Sequence, residues 1–307
     1  MSVVSMEMIQ KLRETSGAGM MDCKKALTET NGDLDAAMDW LRKKGISSAA
    51  KKADRVAAEG LVAAVTNGTK GLVLEVNCET DFVGKNPEFQ ALVTAIAEAA
   101  LAANTTDVEK IKTLTVNGLP AQEALTNLIA KIGENMNIRR ADMLEVSKGV
   151  VATYIHNAAT DKTGRIGVMV ALESTADTAI LNTLGRQIAM HIAATRPDAL
   201  NRESVDASKL EREKNVLVEQ ARASGKPENI IEKMVEGRIN KFYEEVVLLE
   251  QAFVMNPDHK VSEHIEMTAK TADAPIKMTG FIRFGLGEGI EKKDSDFAAE
   301  VAAAAGR

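Results

Sequence analysis

Aromatic side chains are scarce in this 307-residue chain: one Trp, two Tyr and seven Phe. Aromatics normally go to cores, so one found outside a core pattern needs a reason. Cysteine is scarcer still. Cys23 and Cys78 lie far apart and form no metal or redox motif, which fits a reduced, cytoplasmic setting. Of the four histidines, only His259 and His264 are close, and their spacing misses the i, i+4 register of one helical face, so no metal site is expected. Basic charge is not in excess. A net charge of −6 and a pI near 5.5 argue against a phosphate-backbone binder, so no direct nucleic-acid contact is expected. No run reaches the roughly 18–20 apolar residues that span a bilayer. The most apolar stretch, ALVTAIAEAALAA (91–103), is interrupted by Thr94 and Glu98, so no membrane contact is expected. The opening MSVVSMEMIQKLRE lacks a basic leader followed by an apolar core, so a signal peptide is not expected either.

What is present points to an α+β protein of several units, since the chain is too long for one ordinary core. Residues 1–55 read as a three-helix bundle: TSGAG (15–19) and NGD (31–33) break the helical pattern twice, and LDAAMDWLRKK (34–44) supplies the third helix. The basic KKADR (51–55) then reads as a linker. From residue 60 the period changes to two, and a weak internal repeat emerges. GLVAAV and LVLEVNCE flank an Asn-Gly turn, a strong hairpin signal; GVVATYI and RIGVMVALE flank a longer turn. An alanine-rich amphipathic helix follows each hairpin. Each copy ends in a strand-like return with an Ile-Arg pair, NMNIRRADMLEV (135–146) and KMTGFIRFGLGEG (277–289). The expected core is thus two similar subdomains, 56–147 and 148–204 with 248–290, each a three-stranded antiparallel sheet backed by helices. Between the parts of the second, 205–247 reads as a charged helical hairpin of coiled-coil type, and 291–307 as a C-terminal helical module.

Catalytic chemistry is hard to find. The GK pairs at 84–85 and 225–226 are not followed by Ser or Thr, so no phosphate-binding loop is formed, and GLGEG (285–289) lacks the glycine spacing of a dinucleotide turn. Cys78 has Glu79 and Asp81 for neighbours, which disfavour a thiolate, and it shares a strand face with Leu72, Leu74 and Val76. It is expected in the core.

One connection stands out. NCETDFVGKN (77–86) links a strand to a helix whose N-cap and first residue are expected to be Asn86 and Pro87, and it carries Asp81 beside Phe82. Two readings stand. Phe82 folds back over the strand–helix junction while Asp81 caps a turn, or the tip is aimed outward into a partner as an aromatic anchor with an adjacent charge.

The stretches LRETSGAGMMDCKKALTETNGD (12–33), LEVNCETDFV (74–83), AKIGENMNIRR (130–140), QIAMHIAA (187–194), EKMVEGR (232–238), TGFIRFGLGEGIEK (279–292) and DFAAEVAA (296–303) closely resemble the bacterial elongation factor Ts family, in order and almost end to end. The resemblance implies a guanine-nucleotide exchange factor rather than an enzyme, with elongation factor Tu as partner and no cofactor of its own. It implies that Thr80, Asp81, Phe82 and Val83 form the motif entering the GTPase beside its nucleotide, Asp81 and Phe82 disturbing the Mg²⁺ and phosphate environment. It also implies a ubiquitin-associated-type (UBA-like) N-terminal domain with Lys24 as a polar contact. Ile132, His156 and Val254 then meet the GTPase's third domain, and the closing helix with Val301 meets its nucleotide domain. From the residues alone, Ile132 and Val254 read as core positions and His156 as the start of a hairpin turn. A homodimer and a 2:2 complex with the GTPase are both left open, as is a different role as a ribosome-associated or chaperone-like scaffold.

Overall fold

The computed structural model describes residues 4–16, 18–223 and 227–291. The bundle forms as the glycine-bearing breaks require: α1 (Met6–Ser16), α2 (Met20–Glu29) and α3 (Leu34–Ala50) close over Ile9, Leu12, Cys23, Leu27 and Ala37. Asp33 caps α3 by accepting from the Ala36 N–H at 2.9 Å. The third helix runs six residues past Lys44, the expected end. Tertiary packing overrides the helix-weakening glycine there: Gly45 is buried, and a Cβ on it would stand 3.6 Å from Ala130 on a later helix.

After the linker come β1 (Glu59–Thr66), β2 (Lys70–Cys78), a helical turn α4 (Asp81–Gly84), α5 (Pro87–Ala102), α6 (Val108–Thr113), a small ribbon β3 (Thr115–Val116) and β4 (Leu119–Pro120), α7 (Ala121–Ile132) and β5 (Met136–Glu145). The second half contains β6 (Gly149–Ala158), β7 (Thr163–Ser174), α8 (Thr178–Thr195), α9 (Ala207–Ala223), α10 (Glu228–Val246), β8 (Ala252–Phe253), β9 (Asn256–Lys260), α11 (Val261–Thr271) and β10 (Ile276–Gly285).

Each half has its expected antiparallel three strands, β1-β2-β5 and β6-β7-β10, but they are not separate sheets. Val62 pairs with Gly164 and Ala63 with Thr163, which joins them into one six-stranded sheet in the order β10-β7-β1-β2-β5, with β6 also on β7. The residues on alternate faces show why. Leu61, Ala63, Val65, Leu72, Leu74 and Val76 pack against α5 and α7. Val168, Val170 and Leu172 pack against α8 and α11. The opposite faces, through Val62, Val73, Val151, Met169 and Phe284, share a third core between the halves. Strands β1 and β2 are therefore buried on both sides, which their near-continuous apolar runs reflect. Gly71 makes the close approach possible, since a Cβ there would fall 2.6 Å from Val151 Cγ1.

A buried charge fastens the end of β10 across this junction. Glu75 is 0% exposed and receives Arg139 Nη1 at 3.0 Å, Arg140 Nε at 2.6 Å, Asn77 Nδ2 at 3.0 Å and the Gly287 N–H at 2.8 Å. Arg140 also reaches the Gly285 carbonyl and lies 4.1 Å from the Phe284 ring centroid. The GLGEG stretch is thus held by a carboxylate and two arginines of the first half.

The charged hairpin α9–α10 carries its own small core of Ala221, Ile231 and Val235. Its root is fixed where Arg202 grips Glu250 at 2.5 and 2.7 Å and covers Tyr243. Pro227 stands at the N-cap position of α10, without a side-chain cap. No helix among the described residues is long and apolar enough to cross a membrane.

Candidate partner-binding site

Strand β2 delivers the chain into the Asp81–Phe82 connection with Cys78 buried and its thiol directed at the Thr80 carbonyl, 3.1 Å away. Burial, with the carboxylates of Glu134 and Glu59 nearby, pushes that thiol up to about 12, so it stays protonated and inert at neutral pH. The connection itself is not an open loop. Residues 81–84 make one helical turn, closed by Lys85 N–H on the Phe82 carbonyl and Asn86 N–H on the Val83 carbonyl. Asn86 then caps α5, accepting from the Glu88 and Phe89 N–H groups at 2.8 and 3.3 Å, and Pro87 opens that helix.

The turn has an inside and an outside. Val83 points inward and joins the first core, so of the four motif residues it anchors the turn instead of facing solvent. Phe82 points outward and is 76% exposed, which removes the folded-back alternative. Asp81 is also exposed and binds Lys85 Nζ at 2.7 Å; that contact holds its carboxyl below the ordinary range. The Lys85 ammonium lies 5.5 Å from the Phe82 ring centroid.

Thr80 does not cap the turn with its own side chain. Both its N–H and its hydroxyl go to Glu134, at 2.9 and 2.6 Å. Glu134 follows Gly133, whose left-handed conformation (φ 91°) ends α7. Neither the glutamate nor its neighbour Asn135 is marked by any spacing signal in the sequence, because both act through fold-level proximity. Ile132, the last residue of α7, is half-buried against the first core.

The remaining candidate contacts sit on other elements. Lys24 is exposed on α2. His156 is exposed but not at the start of a turn: it pairs with Ile166 inside the β6–β7 ladder, hydrogen-bonds Tyr154 at 3.1 Å, and the reversal comes later, where Ala159 and Thr160 N–H reach the Thr163 carbonyl. Val254, read from the residues alone as a core position, is 52% exposed in the β8–β9 connection beside an exposed Met255. Its N–H donates to His191 Nδ1 at 3.2 Å. Val301 lies outside the described residues. Among the described residues no group of three or more His, Cys, Asp or Glu is placed to hold a metal ion.

Fold and site together define an α+β protein of two halves joined in one sheet, with an N-terminal helical bundle, whose distinguishing surface element is a pinned turn offering Asp81 and Phe82 outward. A sequence profile described as Elongation factor TS matches residues 79–288. Curated relatives named Elongation factor Ts align along the whole chain. One from Rhodospirillum centenum is 58% identical over 308 residues, covering 100% of both chains. One from Rhizobium rhizogenes is 59% identical over 307 residues and one from Agrobacterium fabrum 57% over 306, each covering 99% of both chains. The chain belongs to the elongation factor Ts family.

Proposed function

We propose that this chain acts in the cytoplasm as a guanine-nucleotide exchange factor for the GTPase elongation factor Tu, making no covalent change and carrying no cofactor. It binds the GDP-bound GTPase, and the turn bearing Thr80, Asp81, Phe82 and Val83 enters beside the nucleotide. Phe82 wedges apart side chains that support the Mg²⁺ site, and Asp81 repositions the charged element it meets. Since Mg²⁺ neutralises the phosphate charges, loosening its coordination weakens GDP binding. Linkage sets the balance: a partner that favours the nucleotide-free state weakens nucleotide binding by the same coupling factor, typically about 1–3 kcal/mol or more.

Around this turn, Lys24 in the 1–55 domain, Ile132 in the 56–147 subdomain, and His156 and Val254 in the second subdomain (148–204 and 248–290) serve as docking contacts. The hairpin 205–247 and the module 291–307, with Val301, complete the division into units. The observation that carries the proposal is the 76% exposure of Phe82 on a turn fixed at both ends. An exposed benzyl group buries little apolar area in the free protein and is suited to insertion elsewhere. The test is release of fluorescent GDP from elongation factor Tu by substoichiometric amounts of the chain. Acceleration is expected, and Asp81→Ala with Phe82→Ala should slow release far more than it weakens complex formation. Equal loss of both would reject the wedge.

A further inference from the structure

Resting on the exchange reading above, we propose that Glu134 is a positioning residue for the Asp81–Phe82 turn, acting through a reciprocal clamp between residues 79–80 and 134–135. The Glu134 carboxylate takes both donors of Thr80, at 2.9 and 2.6 Å. In the opposite direction the Asn135 N–H donates to Glu79 Oε1 at 2.5 Å. Each side of the crossing thus supplies a carboxylate to the other's main chain. Hydrogen bonds of this charge-assisted kind are short and about twice as strong as neutral ones.

The clamp fixes the entry to the turn, where the Cys78 thiol on the Thr80 carbonyl at 3.1 Å is a weaker second contact. On the exit side Val83 is buried and Asn86 caps α5. On the entry side, Asp81 and Phe82 are exposed, and their side chains meet Lys85 across the turn. A four-residue turn is too short to set its own direction, because its first N–H groups lack intrahelical partners. Where a Thr at this position normally accepts from the first N–H groups of the helix it begins, the Thr80 side chain instead donates to Glu134.

The same connector reaches the linker from the bundle. Asn135 Nδ2 donates to the Ala53 and Arg55 carbonyls at 3.2 and 2.8 Å, and Arg55 pairs with Glu79 at 3.4 Å. Residues 132–135 therefore join the half-buried Ile132, the linker and the outward turn in one rigid piece. Misplacements of about 0.5–1 Å are costly in sites that depend on exact geometry.

The experiment measures GDP release from elongation factor Tu against concentration of the full chain. Glu134→Ala and Thr80→Val are each expected to lower the maximal rate about tenfold, with the half-saturating concentration moving less than about twofold. The double variant should be no slower than Glu134→Ala, since that change already removes the hydroxyl contact that Thr80→Val deletes. Glu134→Gln, which can still accept from the N–H and donate to the hydroxyl, should restore most of the rate. Amide hydrogen exchange in the free variants should rise at residues 80–84 and stay unchanged in β2 and α5. Unaltered maximal rates in both single variants overturn the inference. So does a loss confined to half-saturation, or faster exchange spread through the first core. A wild-type chain that fails to accelerate release overturns the exchange reading itself, an outcome separate from any difference among the variants.

Discussion

Lys85 and Asp81 form an ion pair one helical turn apart, 2.7 Å between Nζ and Oδ2, on the outward face that also carries Phe82. Both partners are well exposed, so the pair organises the turn without holding the fold together. In the docking proposed above, Asp81 leaves Lys85 for a group on the GTPase. Lys85→Ala and Phe82→Ala are accordingly expected to move the thermal midpoint by less than about 1 °C, because neither residue buries apolar area in the free chain. Lys85→Glu places a like charge beside Asp81 and should slow GDP release several-fold with the midpoint unchanged. Scanning calorimetry and stopped-flow fluorescence together check this. A large drop in midpoint for Phe82→Ala would mean that its ring is packed in the free protein after all.

Glu75 behaves in the opposite way, since its carboxylate has no access to water. Burial alone raises a carboxyl group, but here the Gly287 N–H, Asn77 and Arg140 outweigh it and the group ends below its ordinary value of 4.5. The sign of the linkage follows. Its contribution to stability is complete above 4.5 and is lost as the pH falls below that value and through the lower one of the folded state. Removing the carboxylate strands Arg139 and Arg140 and frees the end of β10, so Glu75→Ala should cost about 3 kcal/mol or more. Urea unfolding from pH 7 to pH 3 is the measurement. Glu75→Gln should be less stable at neutral pH and show a shallower decline below about pH 4.5 than the wild type.

Much of this arrangement was legible in the residues, and the exceptions share a cause. The Asn-Gly hairpin, the Asn86-Pro87 helix start and the core placement of Cys78 rest on local rules, and all three hold. What escaped depends on contacts between distant segments. The pairing of Val62 with Gly164 fuses two sheets that each look complete in sequence. The extension of α3 past Gly45 comes from packing on α7, a helix some eighty residues further on. Val254 reads as a core residue in the sequence but stands exposed in the short β8–β9 connection. Glu134 is the clearest case: a single acidic residue after a glycine carries no pattern, and only the fold brings it to Thr80. The exposed Phe82 could be suspected from composition, whereas the device that aims it could not.

The Val254 connection carries a second test, through His191. Because the Val254 N–H donates to Nδ1, that nitrogen is unprotonated, and the proton on Nε2 is directed to Gln251 Oε1 at 2.8 Å. Gln251 is itself fixed by Thr195 and by the Glu245 carbonyl, and Phe253 packs between His191 and His264 with ring centroids 5.7 and 4.4 Å away. Burial holds His191 below its ordinary value of 6.5, against the smaller upward pull of Gln251. The imidazole therefore stabilises the fold fully above pH 6.5, and this contribution fades as the pH falls below 6.5 towards the folded-state value. A proton added to Nδ1 turns it into a second donor facing the Val254 N–H, so the connection must open. Histidine NMR titration should place His191 below 6.5, and amide exchange at Val254 should accelerate between pH 7 and pH 5 beyond its intrinsic dependence. If Val254 docks on the GTPase, affinity should weaken over the same interval, and His191→Gln should weaken it at neutral pH and flatten that dependence. A titration at or above 6.5, or an exchange rate at Val254 that follows the intrinsic curve, would show that the imidazole does not hold this connection in place.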